Sequence, residues 1–411
     1  MSTLEELAGY PMERAPGCPF DPSPRLREWQ ADEPVQRIRL WNGNTAWVLT
    51  RYADQRDLLS HPAISSNAHH PNFPHSLPST KAIKQEGRIL VSLDNPDHDE
   101  MRRMLARDFS IRSVEAKRPR VQEIVDAQID AMLAGPPEAE LVTALALPVP
   151  SLVICELLGV PPEDQAYFQE RSEVIVDSLA TEAQTLAAIG ELRTYLGELA
   201  ARKERSPSED LISRLVGFRN EGRLTPEEVG ITCLFLLVAG HETTANMIAL
   251  GTCALLSNPD QLEQIRDGVD APLVANTVEE LLRYLHTPHS GRTRVALEDI
   301  EVAGHTVRAG EAVITASNIC DRDPEKFPDH PDRLDIHRAN ARHHTAFGWG
   351  IHQCLGAPLA RMELQVVFST LFRRIPTLRL AAGLDELPFK IDRFVYGVKA
   401  LPVAWEETTC R

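Results

Sequence analysis

The sequence predicts a mainly α protein with small β-sheets, and three observations support this prediction. Helical patterns separated by prolines fill residues 113–205, and a more apolar helical pattern runs from Leu224 to Asn258. Stretches rich in β-branched and aromatic residues are short. Residues 347–356 form a glycine-rich stretch that leads into a further helical pattern. We therefore expect a helical core accompanied by small sheets.

The composition is that of an ordinary globular protein. The 411 residues carry a net charge of −16, and 43% are hydrophobic, which allows a large core. The acidic balance argues against nucleic acid or an anionic membrane as the main partner. The 7 cysteines are odd in number and lack paired spacings. Because residues 1–30 also lack the pattern of a signal peptide or a membrane anchor, we expect a cytoplasmic protein.

The N-terminal part predicts a β-hairpin and a short helix. Val35–Leu40 and Thr45–Thr50 are predicted strands that flank the turn sequence Asn42-Gly43-Asn44. Tyr52–Ser60 is a predicted helix. Residues 61–90 are rich in proline, histidine and serine, and a loop this long is usually functional or disordered.

Two charged pairs lie on predicted helices. His98 and Arg102 are four residues apart, so they present two hydrogen-bond donors on one helix face. Taken alone, such a pair is more often a solvated basic face. Glu280 and Arg283 form an i, i+3 pair that, taken alone, is usually surface decoration.

The regions on either side of the long apolar pattern are less informative. The predicted helices of residues 113–205 break at Gly135-Pro136-Pro137, Pro148–Pro150 and Pro161-Pro162. Short strands are predicted at Ile300–Val302, Ala312–Ala316 and Phe394–Trp405.

The long apolar pattern predicts a helix that crosses the protein core. Thr225, Pro226 and Glu228 form a strong start signal, with an N-cap, a proline at the first position and a glutamate at the third. A membrane span is the alternative. However, a charge such as that of Glu242 near the middle of a span costs roughly 2.5–3.5 kcal/mol or more. A buried core helix fits the rest of the chain better.

The centre of this helix carries a small and polar strip. Ala239, Thr243 and Asn246 share one face at spacings i, i+4 and i+7. The alternative is that the threonine hydroxyl only bonds a carbonyl one turn earlier, which is the usual behaviour of an isolated threonine in a helix.

The glycine-rich stretch is the most informative part of the chain. Cys354 lies just before a helix N-terminus, where unpaired N–H groups favour a thiolate. Gly348, Gly350 and Gly356 let the backbone approach something flat and bulky, and Phe347 offers a ring beside it. A planar metal cofactor fits this pattern better than a bare ion.

Taken alone, Cys354 allows two other interpretations. A single cysteine in an apolar stretch is more often a core residue. A zinc site drawn from His343, His344, His352 and Cys354 lacks the paired C-x₂-C spacing of structural zinc sites.

The pattern Phe-x-x-Gly-x-His-x-Cys-x-Gly over residues 347–356, followed by Ala-Pro-Leu-Ala-Arg-Met-Glu, resembles the haem-binding signature of soluble bacterial cytochrome P-450 proteins. Trp349 departs from it, since many bacterial relatives carry a small or polar residue there. Ala239-Gly240-His241-Glu242-Thr243-Thr244 resembles the oxygen-activation motif of the same superfamily. The resemblance implies one domain over residues 1–411, with haem b (iron protoporphyrin IX) between the long helix and the Cys354 loop.

The resemblance also implies roles for individual residues. Cys354 would be the iron ligand, and Glu242 and Thr243 would relay protons to bound dioxygen. The residues implied to contact the cofactor, the first four through its propionates, are His98, Arg102, Arg294, His352, Ala239, Phe347 and Gly356. Arg333 would complete an ion network with Glu280 and Arg283. The pocket would be bounded by residues 61–90, 163–204, His289–Thr293 and Val395-Tyr396.

The implied activity is monooxygenation. A monomer would use O2 to hydroxylate or epoxidise a mid-sized to large hydrophobic molecule, of polyketide or terpenoid type, or alternatively a xenobiotic. Electrons would come from NAD(P)H through a ferredoxin reductase and a ferredoxin docked on a basic face near His352, Arg361, Arg102 and Arg103. The alternatives are a nitric-oxide reductase or peroxide-dependent enzyme of the same fold, and a non-catalytic haem sensor.

Overall fold

The computed structural model describes residues 7–75, 87–176, 181–391 and 395–406. The described α-helices, numbered α1 to α14 in chain order, are Pro24–Asp32, Tyr52–Ser60, Asp97–Ala106, Ile111–Glu115, Arg118–Leu133, Pro148–Leu158, Gln165–Val176, Glu182–Arg205, Leu211–Asn220, Pro226–Leu256, Pro259–Ile265, Ala271–Leu285, Ser317–Cys320 and Ala357–Arg374. The predicted mainly α fold is confirmed.

The strands form small sheets beside the helices. Numbered β1 to β10, they are Val35–Arg39, Thr45–Leu49, Ile64–Ser65, Glu138–Glu140, Arg292–Ala296, Ile300–Val302, His305–Val307, Ala312–Thr315, Arg379–Leu380 and Pro402–Ala404. One sheet has the order β1-β2-β8-β5-β3, a second has the order β4-β10-β9, and β6 pairs with β7. β5 is the first strand after α12 in the chain.

The helix α10 is the central element. The Thr225 hydroxyl accepts from the N–H of Glu228, whose carboxylate accepts from the N–H of Thr225, so the predicted capping box is confirmed. α10 is long and apolar enough to cross a membrane, but 67% of its apolar window is buried inside the protein. It packs against α6, α8 and α14, as a core helix does.

Several predicted boundaries shift by small amounts. β1, β2 and β8 each end one residue before the predicted position. The predicted break at Pro148–Pro150 lies just before these prolines: a π-helical turn, Val142–Ala146, ends there, and Pro148 begins α6, since proline is tolerated in a first helical turn. The predicted strand Phe394–Trp405 is reduced to β10 and isolated bridges, and Phe394 lies outside the described residues. Residues 76–86 of the predicted long loop also lie outside them.

A buried ion network links α12 to the segment before the Cys354 loop. Arg283 donates to both carboxylate oxygens of Glu280 at 2.7 and 2.8 Å, and both side chains are fully buried. The third member is Arg338, whose Nε lies 3.1 and 3.2 Å from the same oxygens. The prediction of Arg333 was wrong, because Arg333 is exposed and contributes only its carbonyl oxygen to this network.

Candidate active site

The loop of residues 347–356, here called the cysteine loop, folds back on itself before α14 begins. The N–H of Cys354 donates to the carbonyl oxygen of Phe347 at 2.8 Å. Gly348 and Gly350 adopt φ angles of 73° and 72°, which glycine reaches without strain. A β-carbon at Gly350 would overlap the carbonyl oxygen of Leu59, so this position also requires the absence of a side chain.

The Cys354 thiol lies among protein groups but faces an open space. The side chain is exposed although neighbouring elements surround it. Burial raises the pKa of the thiol, whereas the N–H of Gly356 and the positive charges of Arg292, Arg102 and Arg361 lower it. The predicted preference for a thiolate is therefore opposed by burial. A thiolate at Cys354 therefore depends on the charges of these three arginines and on the metal ion that the sulfur binds.

Side chains in the middle of α10 are also partly exposed, although the helix crosses the core. Ala239, Glu242 and Thr243 are partly exposed, whereas Leu237 before them and Thr244 after them are buried. α10 packs directly against α14, which begins at the end of the cysteine loop. The predicted strip therefore borders an open space within the helical core.

The hydrogen bonds of this strip are well defined. The Thr243 hydroxyl donates to the carbonyl oxygen of Ala239 at 2.7 Å. This is the bond to a carbonyl one turn earlier that an isolated threonine in a helix usually makes. Because its hydrogen is used there, the oxygen can still accept a hydrogen bond from the open side. Asn246 does not extend the strip: it is buried, donates to the carbonyl oxygen of Glu242 at 2.8 Å, and packs against Gly397.

Predicted donor residues meet near Cys354. The rings of His98 and His352 lie 4.3 Å apart between centroids. His98 is fully buried, and its Nε2 has no hydrogen-bond partner among the described residues. Burial lowers the pKa of His98, and the charge of Arg102 contributes in the same direction. The charge of Arg102 also acts on the Cys354 thiol, where it lowers the pKa. The structure therefore brings His98, Arg102, His352 and Cys354 into one region.

β5 supplies two arginines, of which one was predicted to contact the cofactor. Arg294 donates to the carbonyl oxygen of Thr293 at 2.8 Å, and burial lowers its pKa to about 10. Arg292 was predicted only as part of the pocket-lining range His289–Thr293. It donates to the carbonyl oxygen of Ala346 at 2.6 Å, and the charge of Cys354 acts on it. Alternation along a strand places both arginines on one face, and this was the signal available in the sequence.

Other predicted residues take up supporting positions. Phe347 packs beneath the guanidinium of Arg361, whose Cζ lies 4.5 Å from the ring centroid. A β-carbon at Gly356 would meet only the Cys354 sulfur, at 3.9 Å. Tyr396, predicted to line the pocket, is fully buried and donates through its hydroxyl to the carbonyl oxygen of Pro19 at 2.8 Å. Its side chain therefore belongs to a packed contact with the N-terminal segment.

The donor set fits a planar group with acidic substituents. Buried imidazole and guanidinium groups with few acceptors of their own suit two carboxylates, which need charge-assisted partners when buried. A thiol that faces open space at the start of a helix suits a metal ion in the same plane. This combination defines a haem-thiolate protein.

The chain belongs to the cytochrome P450 family. The family model "Cytochrome P450" matches residues 165–376. The chain is 49% identical to Cytochrome P450 GfsF of Streptomyces halstedii over 403 residues, which is 98% of this chain and 97% of that protein. The crystal structure of GfsF superposes with a TM-score of 0.93 at 48% identity, covering 97% of this chain and 100% of that one.

Further relatives carry names that state an activity. Pentalenic acid synthase of Streptomyces avermitilis is 44% identical over 98% of this chain and 99% of its own length. The mycinamicin VIII C21 methyl hydroxylase MycCI of Micromonospora griseorubida, solved with mycinamicin VIII bound, superposes with a TM-score of 0.86 at 36% identity, covering 97% and 100% of the two chains. The protein is thus a monooxygenase that binds haem b and uses O2, a hydrophobic substrate and redox partners.

Proposed function

We propose that Cys354 would hold the iron of haem b through its sulfur and that the chain inserts one oxygen atom into a hydrophobic natural product. The observation that carries this proposal is the thiol facing open space at the start of α14, beside the open middle of α10. His98, Arg102, Arg294 and His352 would hold the cofactor's carboxylates. When bound, the haem supplies dioxygen activation and oxygen insertion.

In this proposal the polar strip of α10 handles protons. The Thr243 hydroxyl points its hydrogen at Ala239, so its oxygen can accept from a water molecule and hold that water in the open space. Glu242, the next residue back and also partly exposed, would supply the proton. Ala239 has a small side chain and leaves room beside the strip.

The test removes the hydroxyl. Thr243→Ala should bind haem and substrate normally and consume NADH and O2 at a near wild-type rate, because none of these steps uses the hydroxyl. Product per NADH should fall severalfold while hydrogen peroxide rises. The measurement is product and peroxide per NADH with any accepted substrate.

Thr244→Ala is the matched control, because Thr244 is buried and lies about 100° further round the helix. It should stay coupled. If Thr243→Ala were as well coupled as the wild type, Thr243 would have no part in proton delivery.

We infer the substrate class from relatives that act on natural products. Pentalenic acid synthase and the mycinamicin hydroxylase are named for natural-product substrates or products. Hydroxylation or epoxidation of a polyketide-type or terpenoid-type molecule is the proposed reaction, with a xenobiotic substrate as the alternative. A library screened for spectral displacement of iron-bound water, followed by product analysis, separates these classes.

We also propose that a cationic cleft beside the cysteine loop docks an acidic ferredoxin, which a reductase supplies with electrons from NAD(P)H. The cleft has a volume of about 310 Å³. It is lined by Tyr52, Arg56, Lys326, Arg342, His343, His344, Phe347, Trp349, Gln353 and Arg361. On a chain of net charge −16, such a basic cleft would attract an anionic partner selectively.

Two of the cations in this cleft lie against aromatic rings. The guanidinium of Arg56 lies 3.8 Å from the Trp349 ring centroid, and Nζ of Lys326 lies 5.4 Å from that of Tyr52. In contrast, Arg361, which was predicted to dock the donor, forms an ion pair with Glu279 at 2.6 Å. Arg361 is therefore a weaker candidate for donor docking than the other cations of the cleft.

Charge reversal tests the docking proposal. Lys326→Glu and Arg342→Glu should each slow the first electron transfer severalfold at low salt and much less at high salt, because salt screens exposed charges. Arg308→Glu, an exposed reversal outside the cleft, should have little effect. Equal rates for all three variants in stopped-flow reduction would remove the cleft from docking.

We further propose that residues 1–411 act as one domain and as a cytoplasmic monomer. Contacts between α10 and helices from both halves of the chain support the single domain. Sedimentation of the haem-loaded protein tests the monomer.

A further inference from the structure

The carboxylate of Asp321, at the C-terminal end of α13, is fully buried and accepts hydrogen bonds from two distant elements. The N–H of Thr345 lies 2.9 Å from both of its oxygens, and the Thr345 hydroxyl donates to Oδ1 at 2.8 Å. His286 Nε2 lies 2.6 Å from Oδ2. Three polar groups therefore surround the carboxylate, and one of them, the N–H of Thr345, is shared between both oxygens.

These bonds join the two sides of the candidate site. Thr345 precedes the cysteine loop by two residues, and His286 is the first residue after α12, on the path to β5. His286 adopts a φ of 52°, unusual for a residue with a β-carbon, so the bond to Asp321 holds a strained turn in place. Gln55 extends the network from the far side by donating to the Thr345 hydroxyl and accepting from Ser317.

Arg292 connects this network to the thiol. Its guanidinium lies against the carbonyl oxygen of Ala346, one residue after Thr345. Two negative groups act on it, Cys354 and Asp321. The guanidinium of Arg292 therefore lies within electrostatic reach of both a buried carboxylate and the sulfur.

We infer that Asp321 is a positioning residue that holds the segment before the cysteine loop and lowers the electrostatic potential at the Cys354 sulfur, where its charge opposes that of Arg292. The inference rests on the proposed role of Cys354 as ligand. Removing the carboxylate charge leaves the positive charge of Arg292 unopposed at the sulfur, and the more positive potential favours the reduced, more negative iron centre.

The reduction potential of the substrate-free, haem-loaded protein tests this inference. Asp321→Asn should shift the ferric–ferrous equilibrium roughly tenfold toward ferrous, which is a rise of about 59 mV for one electron. Asp323→Asn is the matched control. Asp323 is also buried, but its carboxylate accepts from the backbone N–H groups of Tyr52 and Glu325. The reduction potential of Asp323→Asn should therefore equal that of the wild type.

Thr345→Val separates an electrostatic role from a loosened structure. It removes the hydroxyl that neutralises part of the Asp321 charge, so the potential should move in the opposite direction, while Thr345→Ser should restore it. This pair also carries the test if Asp321→Asn does not fold. Shifts of the same sign in Asp321→Asn and Thr345→Val, or no shift in either, would overturn the inference.

The carbon monoxide spectrum distinguishes the two proposals. A thiolate-type Soret band in every variant shows that the ligand is intact and that only its environment has changed. A wild-type protein without that band would instead refute the role of Cys354.

Discussion

At the scale of single residues, two glycines of the cysteine loop carry different requirements. Gly350 needs both a positive φ and the absence of a β-carbon, because the carbonyl oxygen of Leu59 occupies the space. Gly356 has a φ of −79° and room for a β-carbon. Any need for glycine at position 356 would therefore come from a bound group and not from the protein fold.

We predict that Gly350→Ala and Gly356→Ala separate folding from cofactor binding. Gly350→Ala should lower the stability of the haem-free protein by about 2–3 kcal/mol, through backbone strain and overlap. Gly356→Ala should leave that stability unchanged and reduce haem retention only. Unfolding of the haem-free protein and haem content of the loaded protein are the measurements.

Cys354→Ser serves as the reference in this series, because it should lose the red-shifted carbon monoxide Soret band of a thiolate haem. If Gly356→Ala retained full haem content, Gly356 would not be a cofactor contact.

At the scale of elements, the ion network of Glu280, Arg283 and Arg338 ties α12 to residues 329–338. Arg338 also donates to the carbonyl oxygens of Asp329 and His330. Arg283 donates to the carbonyl oxygens of Pro331 and Arg333. Two buried guanidinium groups therefore close a loop that lacks regular structure, which gives the network a structural role.

We predict that Arg338→Leu destabilises the protein by about 3–5 kcal/mol, because it removes one cation from a buried carboxylate. Arg333→Leu is the control, since Arg333 is exposed and contributes only its backbone. It should change the unfolding free energy by less than about 0.5 kcal/mol. Similar losses in both variants would assign the network to Arg333 after all.

At the scale of the whole molecule, several buried groups make the fold sensitive to acid. Burial lowers the pKa of His241 to about 4, and its Nε2 lies 3.2 Å from the carbonyl oxygen of Leu147. Burial would raise the pKa of Glu279, but hydrogen bonds and charges from His344 and Arg361 lower it to about 2. Both groups therefore contribute stability at neutral pH that protonation removes.

The two groups act in different pH windows. The unfolded pKa of histidine is about 6.5, so the contribution of His241 is complete above that pH and is lost as the pH falls toward 4. The contribution of Glu279 is complete above its unfolded pKa of about 4.5 and is lost as the pH falls toward 2.

We predict that His241→Gln flattens the stability profile between pH 6.5 and 4, because glutamine keeps an N–H donor for Leu147 without titrating. Glu279→Gln should flatten it only below about pH 4.5. Each effect should be on the order of 3 kcal/mol. Urea unfolding across this pH range measures both, and parallel profiles for the wild type and His241→Gln would contradict the assignment.

The features that are predictable from the sequence depend on neighbours along the chain. The capping box of Thr225 and Glu228 spans four residues, so the start of α10 was predictable to the residue. The placement of Cys354 just before α14 and the Glu280–Arg283 pair are similarly local. The motif around Cys354 also carried the family, because its spacing reflects one loop and one helix end.

Only the tertiary structure decided which distant groups meet. It put Arg338 in the place predicted for Arg333, set Arg292 beside Cys354, and directed Tyr396 to the N-terminal segment. It also joined His286 and Thr345 through Asp321, although 59 residues separate them in sequence. The physical reason is that local patterns place a side chain on a face of its own element. Its partner depends on how elements pack across the core, which no short stretch of sequence specifies.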